Sequence, residues 1–127
     1  MSIVDLLENY AAGQRTFDDL ELIQANLQGI DLRNIVFTNA DFYRSNLSRG
    51  LFYDSSWINA KLRRTNLHRA NFLRADLSSA DLTEADLSEA SLQATNLSHA
   101  QVRQVDLINA SLVGAKLHGT DFTDSVF

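Results

Sequence analysis

Every fifth residue from Phe17 to Phe127 is large and apolar, and this run limits the possible folds more than any other feature of the chain. It begins Phe17, Leu22, Leu27, Leu32, Phe37 and continues through Trp57, Leu87 and Val102 without a break over 23 positions. With 45% hydrophobic residues drawn independently, such a run has a chance on the order of one in a hundred million. The phase two residues later is the opposite. From Asp19 to Asp124 it holds 22 residues, of which only Ala94 is hydrophobic. Small residues such as Ala40, Ala60 and Ala80 stand two before the large one. Asp or Asn dominates one before it, as at Asn26, Asp31, Asp41, Asn46 and Asp76.

Neither regular element can use this pattern. Five residues advance a helix about 140° past a full turn, so the large residues would scatter around its axis. In a flat strand an odd period puts successive large residues on opposite faces. The remaining solution is a chain that turns once per repeat and offers one large side chain per side to a common interior. The small residue then points inward near a corner, where bulk would clash. Asp and Asn suit the turn because their side chains bond nearby backbone N–H groups. Successive coils stack and pair their backbones as parallel strands do, around a close-packed column of Leu and Phe.

Composition agrees with a single small domain. At 127 residues one continuous core forms without staples, and with no Cys there is no disulfide or thiolate metal site. The absence of Pro suits a backbone whose N–H groups are needed at nearly every position. No apolar run is long enough to span a bilayer. The first dozen residues contain Asp5 and Glu8 but no Lys or Arg, so no secretory signal is read there and a cytoplasmic location is expected.

The motif A-(D/N)-L-x-x in tandem, as in Ala25-Asn26-Leu27, Ala40-Asp41-Phe42, Ala75-Asp76-Leu77 and Ala85-Asp86-Leu87, resembles the pentapeptide repeat proteins over roughly residues 15 to 127. The lead-in from Tyr10 to Phe17 is similar to the start of many bacterial, especially cyanobacterial, members. The resemblance implies an all-β solenoid, a right-handed four-sided β-helix with four repeats per coil. That gives about five and a half coils and a stack roughly 25 Å tall. Charge pairing leaves the number of sides open. A twenty-residue step pairs Arg64 with Glu84 and Arg69 with Glu89, and a fifteen-residue step pairs Arg69 with Glu84 and Arg74 with Glu89. Some residues depart from the pattern. Leu20, Ile30 and Ile35 are large where small residues are usual, which predicts wider or distorted first coils. Trp57 is the bulkiest central residue and predicts a bulge.

The two ends differ. Ser2 and Asp5 read as an N-cap and the acidic residue at the third helical position. Ile3, Leu6, Leu7 and Tyr10 share a face, and Gly13 is a C-terminal stop. Residues 1–14 are therefore expected to carry a short capping helix, over residues 3–12, and residues 15–127 the repeats. Acidic polar positions argue against a membrane-surface helix. The other end has no such device, and Phe122 and Phe127 are read as either a plug or a dimer contact.

Chemical signals are sparse. On a four-sided coil His99 and His118 fall on one face in adjacent coils, with Ser98 nearby, but a metal site needs a third ligand and a nucleophile needs an orienting acid. No catalytic residue, metal or cofactor is expected. The sequons at Asn46 and Asn96 arise from the repeat rule itself. Charge is segregated: Lys61, Arg63, Arg64, Arg69 and Arg74 occupy a stretch without acids, followed by Asp76, Asp81, Glu84, Asp86 and Glu89 without bases. The bland reading is a ladder of coil-to-coil ion pairs. The functional reading is a basic band, extended by Arg44 and Arg49 with Tyr43 and Tyr53 close by, that contacts an acidic protein partner. These readings favour a non-enzymatic protein-binding or scaffold module of unidentified partner. The alternative that the resemblance implies is a DNA-mimic interaction with DNA gyrase or a related topoisomerase. Family members of that kind are long acidic rods, whereas the middle of this chain is basic. A net charge of −5 disfavours nucleic acid as a partner.

Overall fold

The architecture follows from one backbone conformation repeated along the chain. From Asp19 to Asp124, each residue two positions after a central one has φ between +53° and +72°. At most repeats the next N–H, on the small residue, donates to the carbonyl of the central residue, as Ala40 N does to Phe37 O at 3.0 Å and Ala85 N to Leu82 O at 2.9 Å. A turn with positive φ only at its third residue is of type II. This accounts for the polar phase of the repeat. The left-handed region favours Gly, Asn and Asp and disfavours bulky apolar residues, and the side chain there points to solvent.

The turn is held from the preceding residue as well. Asn26, Asp41, Asn46, Asn66, Asp76 and Asp86 each accept, through Oδ1, the backbone N–H two residues on, at 2.9–3.3 Å. The Asp and Asn of the motif are thus turn-closing acceptors.

The computed structural model describes residues 1–127. Parallel bridges link Thr16 to Val36, Glu21 to Asp41, and so on at a constant step of twenty residues to Asp106 and Val126. Twenty residues hold four turns, so the coil has four sides. Three bonds per repeat carry the ladder: Phe37 N donates to Ser56 O and Val36 N to Arg15 O, both at 2.8 Å, and Asn39 N donates to Ile58 O at 3.0 Å. The pairing takes the form of isolated bridges where continuous strands were expected. The reason is geometric: a corner every five residues leaves no side long enough for an extended ladder. We number the sides by their central residues: face one carries Phe17, Phe37 and Trp57; face two Leu22, Phe42 and Leu62; face three Leu27, Leu47 and Leu67; face four Leu32, Phe52 and Phe72.

The central residues meet on the axis. Those from Leu32 to Leu92 are wholly buried and belong to one continuous core. Trp57 lies 4.8 Å from Phe37, 5.1 Å from Phe52 and 5.7 Å from Phe72 between ring centroids, with its Nε1 donating to Ser55 Oγ at 2.7 Å. The twenty-residue register runs past it without a break, from Val36 through Ser56 to Asp76. The expected bulge is therefore absent: neighbouring rings surround the indole and the ladder stays in register. Phe52 is fitted by Gly50, where any Cβ would lie 2.3 Å from the Phe52 ring. The register also holds through the first coil, with Leu20 and Ile35 buried. Inward hydroxyls find backbone partners. Ser45 Oγ donates to Leu22 O and accepts from Ala25 N, and Thr95 Oγ1 donates to Phe72 O. No buried side-chain nitrogen or oxygen lacks a hydrogen bond.

The helix α1 spans Ile3–Ala11, starts in a reciprocal capping box between Ser2 and Asp5, and is followed by Gly13 at φ +104°. Leu6 is buried against the core, with Ile3 and Tyr10 partly so. Leu7, expected on the same face, is 41% exposed, because the contact is a narrow line at positions 3, 6 and 10. The segment also covers edge carbonyls: Tyr10 Oη donates to Arg33 O at 2.6 Å and Gln14 Nε2 to Thr16 O at 2.9 Å. No helix is long and apolar enough to cross a membrane.

The turn geometry makes a prediction with opposite signs at two alanines. Ala94 is exposed at φ +55°, where a non-Gly residue costs about 1–2 kcal/mol. Glycine gives back roughly 0.4–1 kcal/mol of that through the entropy of the unfolded chain. Ala94→Gly should therefore raise the melting temperature. Ala90→Gly, at a buried inward position, should lower it. Thermal denaturation of the two variants against the parent is the check.

Candidate functional site

The fold distributes the sequence's basic band around the molecule. Tyr43, Arg44, Lys61, Arg63 and Arg64 lie on face two, Arg49 and Arg69 on face three, and Tyr53 and Arg74 on face four. A linear cluster becomes a partial ring because fourteen residues cover most of a twenty-residue coil.

Stacking then neutralises much of it. Arg64 Nε lies 2.6 Å from Glu84 Oε2 and Arg69 Nε 3.2 Å from Glu89 Oε2, each one coil away. Arg74 Nε is 2.8 Å from Asp54, also one coil away, and Arg63 is 3.8 Å from Asp81. Both twenty-residue pairs form, and neither fifteen-residue alternative does. These contacts raise the Arg64 and Arg74 guanidinium pKa values and hold the Asp54 carboxyl below its ordinary range, the direct hydrogen bond being the main cause in each case. Arg44, Arg49 and Lys61 form no ion pair. Arg44 lies against its neighbour Tyr43, 5.4 Å from the ring centroid.

Face three carries a shallow polar cleft of about 550 Å³ over the middle coils, with no hydrophobic residue in its lining. Asn46 and Asn66 stand one above the other in it, with Arg49 at the corner. At its far end His68 Nδ1 lies 2.8 Å from Ser88 Oγ, which donates to Asp86 Oδ1 at 2.5 Å. His68 Nε2 is 3.3 Å from Glu89. The linear sequence hid this network because His68 lies about twenty residues from the adjacent Ser88 and Glu89. Once the coil length is known, the pairing of 68 with 88 follows. His99 and His118 do stack in adjacent coils on face one, with centroids 5.4 Å apart and rings nearly perpendicular. At the C-terminal end Phe122 and Phe127 pack at 5.5 Å, but Phe127 remains 68% exposed.

Acidic groups in direct contacts give the chain a pH signature. Asp54 is lowered by Arg74, Asp31 by Arg33, and Asp121 mainly by its hydrogen bond from Thr123. A depressed folded pKa contributes stability above the ordinary value of 3.8, and that contribution is lost as pH falls through the folded value. Arg74→Gln, compatible with the turn as Gln24 and Gln104 are, should lower the melting temperature slightly at neutral pH, and the gap to the parent should narrow as the pH falls below 3.8. A gap that is independent of pH would show that the pair contributes nothing.

Comparison with known proteins places the chain. The family model for pentapeptide repeats matches residues 17–52, 52–84 and 85–124. Rfr23, a pentapeptide repeat protein from the cyanobacterium Cyanothece 51142, is 22% identical over 99% of both chains with a TM-score of 0.50. A pentapeptide repeat protein from Nostoc Pcc 7120 is 34% identical over 96% of this chain and 85% of its own, with a TM-score of 0.35. QnrB1, a plasmid-mediated fluoroquinolone resistance protein, is 18% identical over 88% of this chain and 72% of its own, with a TM-score of 0.37. No curated protein is similar enough in sequence to match. With its five-residue register, four turns per coil and matched repeats over nearly its whole length, the chain belongs to the pentapeptide repeat family.

Proposed function

We propose that this chain, wound with the right hand that the family resemblance implies, is a non-enzymatic protein-binding or scaffold module of the bacterial cytoplasm that works through its outer faces. One observation carries the reading. Stacking consumes Arg64, Arg69 and Arg74 in internal ion pairs yet leaves Arg44, Arg49 and Lys61 unpaired on two adjoining faces. Unpaired exposed cations on rigid, flat sides suit an acidic protein surface. The DNA-mimic reading comes second, because the motif aspartates bind their own turns and the middle coils present arginines.

The test centres on the unpaired cations. Partner capture from native lysate by the parent should weaken as salt rises, since screening acts within about 8–10 Å. It should fall sharply for Arg44→Asn/Arg49→Asn, because Asn suits the left-handed turn at both positions. Identical capture by parent and variant at every salt concentration would remove the reading. Inhibition of gyrase supercoiling by the parent would restore the second one.

Self-association has separate support. In the last coil the central residues emerge from the core, with Leu117 42% and Phe127 68% exposed. The N–H groups of Leu112, Leu117 and Phe122 make no backbone hydrogen bond. Such an edge is a template for pairing, although one coil end offers little area. A weak two-fold dimer through residues 107–127 should appear in light scattering across a concentration series and vanish in Phe127→Asp. A monomeric parent mass at every concentration would assign the phenylalanines to a plug.

A further inference from the structure

The polar cleft on face three has a built-in direction. Asn46 Oδ1 accepts from Ser48 N and Oγ, and Asn66 Oδ1 accepts from His68 N. With the oxygens held by the turns, the Nδ2 amides are the ends left for a ligand. Arg49 stands beside them, exposed and without an acidic partner. The next coils show what ordinarily fills that position: Arg69, directly below Arg49, is neutralised by Glu89 one coil further on. The residue above Arg49 in the same column is Gly29, which has no side chain and open space around the position of a Cβ. The corner column therefore reads Gly29, Arg49, Arg69, Glu89, and the only cation in it without a counter-ion faces the cleft.

We infer that this cleft receives a carboxylate from an acidic segment of a protein partner, with the Arg49 guanidinium as the charged donor and the side-chain amides of Asn46 and Asn66 beside it. The inference rests on the protein-binding reading above and names the surface and the chemistry of the partner. A carboxylate is favoured over a phosphate by charge. One free guanidinium and two neutral amides match a single negative charge. At the other end of the cleft Asp86 repels a group that concentrates nearly two charges on one centre, whereas a peptide segment spaces its carboxylates along the chain.

The test is a titration followed through the Asn46 and Asn66 side-chain NH₂ resonances and the Arg49 Nε resonance. The probes are a capped hexaglutamate peptide, a capped hexaglutamine peptide and inorganic phosphate. Hexaglutamate should shift all three resonances, and hexaglutamine should shift none. Arg49→Asn should weaken hexaglutamate binding about tenfold, as loss of one charge-assisted hydrogen bond does. Arg74→Gln, which removes the same charge from face four, should leave it unchanged. Gly29→Glu should weaken it as much as Arg49→Asn by pairing Arg49 from the coil above, the way Glu89 pairs Arg69. Matching melting temperatures would exclude misfolding. Tighter binding of phosphate than of hexaglutamate, equal shifts with hexaglutamine, or retained affinity in both Arg49→Asn and Gly29→Glu would each overturn the assignment. A null titration would overturn the cleft alone, and weakened lysate capture by the single variant Arg44→Asn, with Arg49 intact, would leave the protein-binding reading standing.

Discussion

The backbone bond from one coil to the next is the interaction on which the rest of this structure depends. In every coil but the last the central residue donates its N–H to the coil below, and in every coil but the first the residue before it donates to the coil above, as Phe37 and Val36 do. Those bonds form only if every coil has the same length, so one left-handed residue per repeat is a structural requirement and not a local accident. Nineteen non-glycine residues accept that conformation. The cost is local, whereas the gain is a set of ladder bonds and an inward apolar side chain at nearly every repeat, with a turn-closing Asp or Asn at many of them.

The same regularity organises the electrostatics. Residues twenty apart lie one above another, so a charge has two column neighbours whose identity the sequence sets at long range. This turns a block of arginines followed by a block of acids into vertical ion pairs. At the exposed surface each such pair contributes modestly. Their larger effect is to decide which charges stay available. Arg49 is free because Gly29 stands above it and Arg69 below, and no property of Arg49 itself distinguishes it from Arg69.

Much of the fold was legible from residue pattern. The apolar phase marked the core, and Trp57 and Leu87 lie fully buried as the period requires. Ser2, Asp5 and Gly13 marked the ends of α1 within a residue. Leu7 was misplaced because a helix resting on a coil end buries a narrower line than one packed on a sheet. The candidate site was far less legible. The sequence grouped Lys61 to Arg74 as one patch, but their positions on the coil spread them over three faces. It also missed His68, whose partners Ser88 and Glu89 become neighbours only when the coil length is known.

By itself, then, the sequence determined a five-residue turn period, the inward and outward positions, and the capped end, because each of these depends on contacts within one or two repeats. Only the tertiary structure decided how many repeats close a coil, and with it every contact between coils. A step of fifteen or twenty residues satisfies the same local rules for turn and burial. The choice rests on packing across the axis, where the Phe and Trp rings must fill the interior without voids.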